Sequence, residues 1–105
     1  MQSLYAWQCG NHQIVPPDIQ PIIDHITGLD ALIAKHAPRW PLEKINLVDL
    51  SILRCCFWEL THTPTPPKVV IDESIELAKE FGTENSSSFI NGVIGSSLVE
   101  LNINP

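Results

Sequence analysis

The chain has 105 residues, with 6 Lys plus Arg against 12 Asp plus Glu and a formal net charge of −6. That length suits one domain, and 44% hydrophobic with 17% charged residues describes a globular chain rather than a disordered one. No apolar run approaches the ~20 residues that span a bilayer, and the first residues lack the basic-then-apolar order of a signal peptide. A cytoplasmic location is therefore expected. Acid outnumbers base two to one, which weighs against a protein that holds nucleic acid through phosphate contacts alone.

In chain order, Ser3–Gln8 is a short apolar, aromatic piece ended by Gly10-Asn11, followed by a linker to Pro16-Pro17. From Asp18 the apolar residues Ile19, Ile22, Ile23, Ile26, Leu29, Leu32 and Ile33 step by three and four. This spacing predicts one helix to about Ala37, before Pro38. Pro41–Ile45 reads as a turn or a single helical turn. Asn46 can cap the next helix, with Asp49 three residues on as a weak capping box. Leu47–Leu60 is apolar at ten of fourteen positions, so its helix is covered on several sides and forms the hub of the core.

Thr61–Pro67 holds three prolines and reads as a loop. The next helix starts at Pro67 and runs to Phe81, stopping at Gly82. Its acidic face, Asp72, Glu73, Glu76 and Glu80, is expected to be solvated. Ser86 is expected to cap a last helix through about Leu101. No segment alternates with period two. The chain reads as all-α, a compact bundle of about five helices forming a single domain over residues 1–105.

Little of this can carry chemistry. Cys9, Cys55 and Cys56 are too few and too badly spaced for a disulfide framework. His25 and His36 share one side of the predicted second helix but stand ~16 Å apart, so packing and surface roles are expected rather than metal binding. No phosphate loop, catalytic elbow or metal spacing is present, and neither an enzyme nor a cofactor is expected. Arg54, on the most apolar helix, must pair either with a carboxylate such as Asp49 or Glu59 or with a phosphate. Gly92 and Gly95 line one face of the last helix, which implies close packing of a neighbour or close approach of a partner. Phe89 beside them is either core or a platform for an unpaired base.

Several blocks nonetheless resemble the NusB transcription antitermination family. Val48-Asp49-Leu50-Ser51-Ile52-Leu53-Arg54 followed by Glu59-Leu60 looks like its "V-(D/E)-x-x-I-L-R…E-L" block. Pro67–Glu73 resembles "P-x-K-V-A-I-N-E", Ile75–Gly82 resembles "I-E-L-A-K-x-F-G", and Phe89–Ile94 resembles "F-V-N-G-V-L". Gln2–Gln8 is similar to "Q-A-L-Y-x-W-Q" of the first helix. The blocks keep their order and cover most of residues 42–98.

The resemblance implies an all-helical, non-enzymatic protein. Family members bind boxA, a short single-stranded RNA signal in nascent ribosomal transcripts, together with the ribosomal protein NusE, and so help RNA polymerase ignore terminators. Positions matching the RNA surface are Gln2, Arg54, Phe89 and Asn91, with Ser88 where Lys or Arg is common. Positions matching the partner surface are Tyr5, Glu43 and Asp49.

Two departures stand out. The family's Arg-rich start is expected to be missing here, and its second helix to be replaced by the linker Cys9–Pro16. Each lost phosphate contact reduces the salt slope of single-strand binding by roughly 0.7. Only Lys44, Arg54 and Lys68 lie near the expected site, so weak RNA affinity is expected without the partner. Two alternatives follow: a protein-interaction module without RNA binding, or the RNA-binding piece of an rRNA methyltransferase.

Overall fold

The computed structural model describes residues 1–10, 15 and 17–104. Among them are six α-helices: α1 (Gln2–Cys9), α2 (Gln20–Asp24), α3 (Ile26–His36), α4 (Leu47–His62), α5 (Pro67–Phe81) and α6 (Ser86–Ser97). Single turns of 3-10 helix cover Pro17–Ile19 and Leu42–Lys44. No described residue lies in a strand. The fold class is all-α, as the apolar spacing predicts.

α4 is the hub. It packs on α1, α2, α3, α5 and α6, and it buries Leu50, Ile52, Leu53, Cys56 and Phe57. Leu4 from α1, Ile22 from α2, Leu29 and Ile33 from α3, Val70 and Ala78 from α5, and Ile90, Val93 and Ile94 from α6 close around it. Its start follows the sequence, since the Asn46 side chain accepts the Val48 N–H at 2.8 Å. Asp49 does not complete a capping box; its carboxylate faces Ser86 of α6 instead.

The predicted helix from Asp18 to Ala37 is two helices meeting at His25. The ring Nδ1 of His25 bonds the Pro21 carbonyl at 2.8 Å, the acceptor an unbroken helix would give to the His25 backbone N–H. That N–H turns to Ile22 at 3.1 Å, and the residue takes φ −111 and ψ 11.

α5 has the bounds the sequence implies. Gly82 ends it at a position where a Cβ would run into the Ser86 side chain and the Ala78 carbonyl. Ser86 is the first residue of α6 rather than its cap; the N-cap position is Asn85, without a side-chain cap bond, and the turn before it is tied by Thr83. Thr83 Oγ1 accepts the Asn85 N–H at 3.3 Å, and Ser86 Oγ reaches back to accept the Thr83 N–H at 2.9 Å. Regular α geometry stops at Ser97, and turns continue to Asn102 at φ 56, where the Ile103 N–H bonds to the Leu98 carbonyl at 2.9 Å. The linker expected over Cys9–Pro16 begins inside α1, and residues 11–14 and 16 fall outside the described residues.

Candidate nucleic-acid interface

Pro38 and Pro41 bracket the segment that turns the chain from α3 into α4, and Trp40 between them is 53% exposed. The Leu42–Lys44 turn then carries the chain to Asn46, with Lys44 N–H bonded to the Pro41 carbonyl at 2.8 Å. Opposite this turn, the turn tied by Thr83 leads into α6. Between the two lies a cavity of about 530 Å³, lined by Trp40, Lys44, Asn46, Asp49, Asn85 and Phe89, with Ile45, Thr83 and Ser88 completing its wall.

The chemistry of this groove is mixed. Trp40 and the half-buried Phe89 offer aromatic surface. Asn46, Asn85 and Ser88 are exposed at its edges, and Lys44 supplies a cation. At its floor Asp49 is only 6% exposed, and its Oδ1 has no hydrogen-bond partner among the described residues. Burial pushes the Asp49 carboxyl above the usual range, an effect partly offset by a hydrogen bond with Ser86. Three of the expected site residues, Asp49, Ser88 and Phe89, meet here.

The others do not. Arg54 is 8% exposed and points to the far side of α4. Its Nε and Nη2 donate to Asp30 Oδ1 and Oδ2 at 2.8 and 2.9 Å, while Nη1 donates to Gln8 Oε1 at 2.7 Å. The carboxylate partner is thus Asp30 of α3, not Asp49 or Glu59. Those two lie five residues either side of Arg54, well round the helix from it, whereas α3 crosses directly over it. Gln8 also donates to Ser51 Oγ at 2.7 Å and to the Leu47 carbonyl at 3.1 Å, so α1, α3 and α4 are tied at one point.

Gln2 lines a separate cleft with Met1, Cys55, Glu59 and Glu73. Asn91 lines a third, between α5 and α6, with Lys68 and Gly95. Tyr5 is exposed on α1 and Glu43 is exposed on the turn before α4. Gly92 and Gly95 pack against nothing, since a Cβ at either would meet no atom within 4 Å. The acidic face of α5 is exposed at Asp72, Glu73, Glu76 and Glu80, and Glu76 stands 3.7 Å from Lys79.

Residue-pattern reasoning missed Trp40 as a site residue. The available signal was a Trp held between two prolines, where no helix can bury it.

Residues 19–98 match the model of the NusB family. The "Transcription antitermination protein NusB" of Elusimicrobium minutum (strain Pei191) is 47% identical over 78 residues, which cover 72% of this chain and 56% of that protein. The protein of the same name from Chloroflexus aggregans (strain MD-66 / DSM 9485) is 46% identical over 76 residues, covering 70% of this chain and 51% of that protein. The chain spans about half the length of these curated relatives. With a family match over most of its residues, the chain belongs to the NusB family.

Proposed function

We propose that this chain is a NusB-type transcription antitermination factor, a binding protein rather than an enzyme. It takes up a boxA-like single strand of RNA together with a NusE-type ribosomal protein, within the antitermination complex of RNA polymerase. The observation that carries this reading is the groove of Trp40, Lys44 and Phe89 beside the Thr83 turn. Unpaired bases stack on aromatic side chains, each stack worth about 1–3 kcal/mol, and duplexes offer no such faces. Asn46, Asn85 and Ser88 supply donors and acceptors for base edges, and Lys44 a phosphate contact.

In this reading Gln2 and Asn91 are outlying RNA contacts. Arg54 supports the RNA surface mainly by locking α1 and α3 onto α4. Tyr5, Glu43 and Asp49 serve the protein partner, which brings positive charge that this acidic chain lacks. Residues 1–105 act as one NusB-like helical domain in the cytoplasm. Among the described residues, no helix is long and apolar enough to cross a membrane.

Fluorescence anisotropy tests the proposal, with labelled boxA-like and scrambled strands titrated at low salt with and without the partner. We expect at least a tenfold preference for the boxA-like strand in the ternary mixture. Equal binding of both strands rejects RNA recognition. The Arg54–Asp30 pair favours a second reading, a protein-interaction module without RNA binding, because it withdraws one of only two arginines. That reading expects partner capture that survives high salt and is lost in Tyr5→Ala, a change at an exposed residue.

A further inference from the structure

The histidines that the sequence separates into unrelated positions are paired differently in space. His25 sits at the joint between α2 and α3, and His62 is the last residue of α4. Their ring centres lie 4.3 Å apart with the planes tilted by 55°. Trp58 lies one turn before His62, its ring 6.0 Å away and within 7° of parallel. Both histidines are exposed, so an ion in solvent can reach them.

The hydrogen bonds assign the ring protons. His25 Nδ1 is 2.8 Å from the Pro21 carbonyl, which can only accept, so Nδ1 carries the hydrogen and Nε2 a lone pair. Thr61 Oγ1 donates its one hydrogen to the Phe57 carbonyl at 2.7 Å. The same oxygen is 2.7 Å from His62 Nδ1, which therefore donates to it and leaves a lone pair on Nε2. Neither Nε2 has a hydrogen-bond partner among the described residues. Two neighbouring imidazoles are each pinned through Nδ1–H with Nε2 left open, the arrangement in which proteins hold metal-bound histidines.

We propose that His25 and His62 form a two-histidine site for a divalent transition ion of the copper(II) or nickel(II) class. The donors suit the class, since neutral imidazole nitrogen binds copper(II) and nickel(II), and the ring spacing admits it. With a metal–nitrogen bond of about 2.0 Å and a ring centre about 1.1 Å further on, two rings at a right angle have centres about 4.5 Å apart. A tetrahedral angle would set them about 5 Å apart. The observed 4.3 Å is compatible with two imidazoles on adjacent positions of a square-planar or tetragonal ion. No group of three or more His, Cys, Asp or Glu suited to an ion occurs among the described residues, so water completes the coordination. The bound ion staples the α2–α3 joint to the end of α4, and it raises the Tm of the folded chain by mass action.

The test uses the full chain, free of any affinity tag, in a Cys9→Ser background so that the exposed Cys9 thiol does not reduce the copper. The expected result is an electron paramagnetic resonance spectrum of the 1:1 copper(II) complex with splitting from two imidazole nitrogens. His25→Ala and His62→Ala should each remove one of those couplings and weaken copper(II) binding at least tenfold by calorimetry. His36→Ala should change neither, because His36 is engaged with Ser96 at 2.9 Å, on α6. Circular dichroism checks that each variant keeps its helix content. A wild-type spectrum without a nitrogen pair overturns the proposal, and so does copper affinity unmoved by both substitutions.

Discussion

Arg54 and Lys44 spend their charge in opposite ways, one inside the bundle and one at its edge. Arg54 has every guanidinium edge occupied, by both oxygens of Asp30 and by Gln8, and water barely reaches it. Lys44 lies exposed in a groove with two aromatics and the exposed polar residues Asn46, Asn85 and Ser88. A cation whose hydrogen bonds are all met by the chain holds the chain together. A cation left to solvent beside aromatic surface is available to something else. The arginine that the sequence marks as remarkable for its apolar helix is thus the structural one, and the unremarkable lysine faces the site.

Four substitutions break or sharpen that contrast. Asp30→Ala leaves the Arg54 charge buried without its partner, a cost of about 3 kcal/mol. Thermal unfolding should show a Tm lower by about 15 °C. On the groove side, Trp40→Ala should weaken single-strand RNA affinity about tenfold or more in the ternary mixture. Its Tm should stay close to wild type, because the indole is largely exposed. Thr83→Ala removes the hydroxyl that ties the turn before α6, and about 1 kcal/mol of stability should go with that hydrogen bond in a urea melt. The smallest effect is Lys44→Gln, which should reduce the slope of log affinity against log salt by about 0.7.

Asp49 adds a pH test. Its folded carboxyl titrates above the ordinary value of 3.8, so the ionised form is penalised in the fold. That penalty is fully present above the folded value and vanishes as the pH falls below the unfolded one. Asp49→Asn should therefore raise the Tm relative to wild type at pH 7, and the difference should disappear at pH 3.

Much of this fold is written in periodicity. Ten apolar positions in Leu47–Leu60 require a covered helix, and Pro67 with Gly82 bracket α5 between a fixed φ and a crowded backbone. The break at His25 is not legible that way, because it comes from a side chain competing with its own backbone for the Pro21 carbonyl. The partner of Arg54 is hidden for a similar reason: Asp30 becomes its neighbour only once α3 crosses α4. In the groove, Asp49, Ser88 and Phe89 follow from the family blocks. Trp40 escapes because its position is set by how the turn before α4 folds against α6. The meeting of His25 and His62 needs both the break and the full length of α4.

The measurement closest to the central claim compares RNA affinity in Trp40→Ala and Asp30→Ala with wild type, under conditions where all three are folded. We expect Trp40→Ala to lose at least tenfold and Asp30→Ala to bind within about threefold of wild type. If Trp40→Ala binds as wild type does and Asp30→Ala, which frees the Arg54 guanidinium, binds RNA more tightly, the RNA surface lies at Arg54 and the account of the groove is wrong.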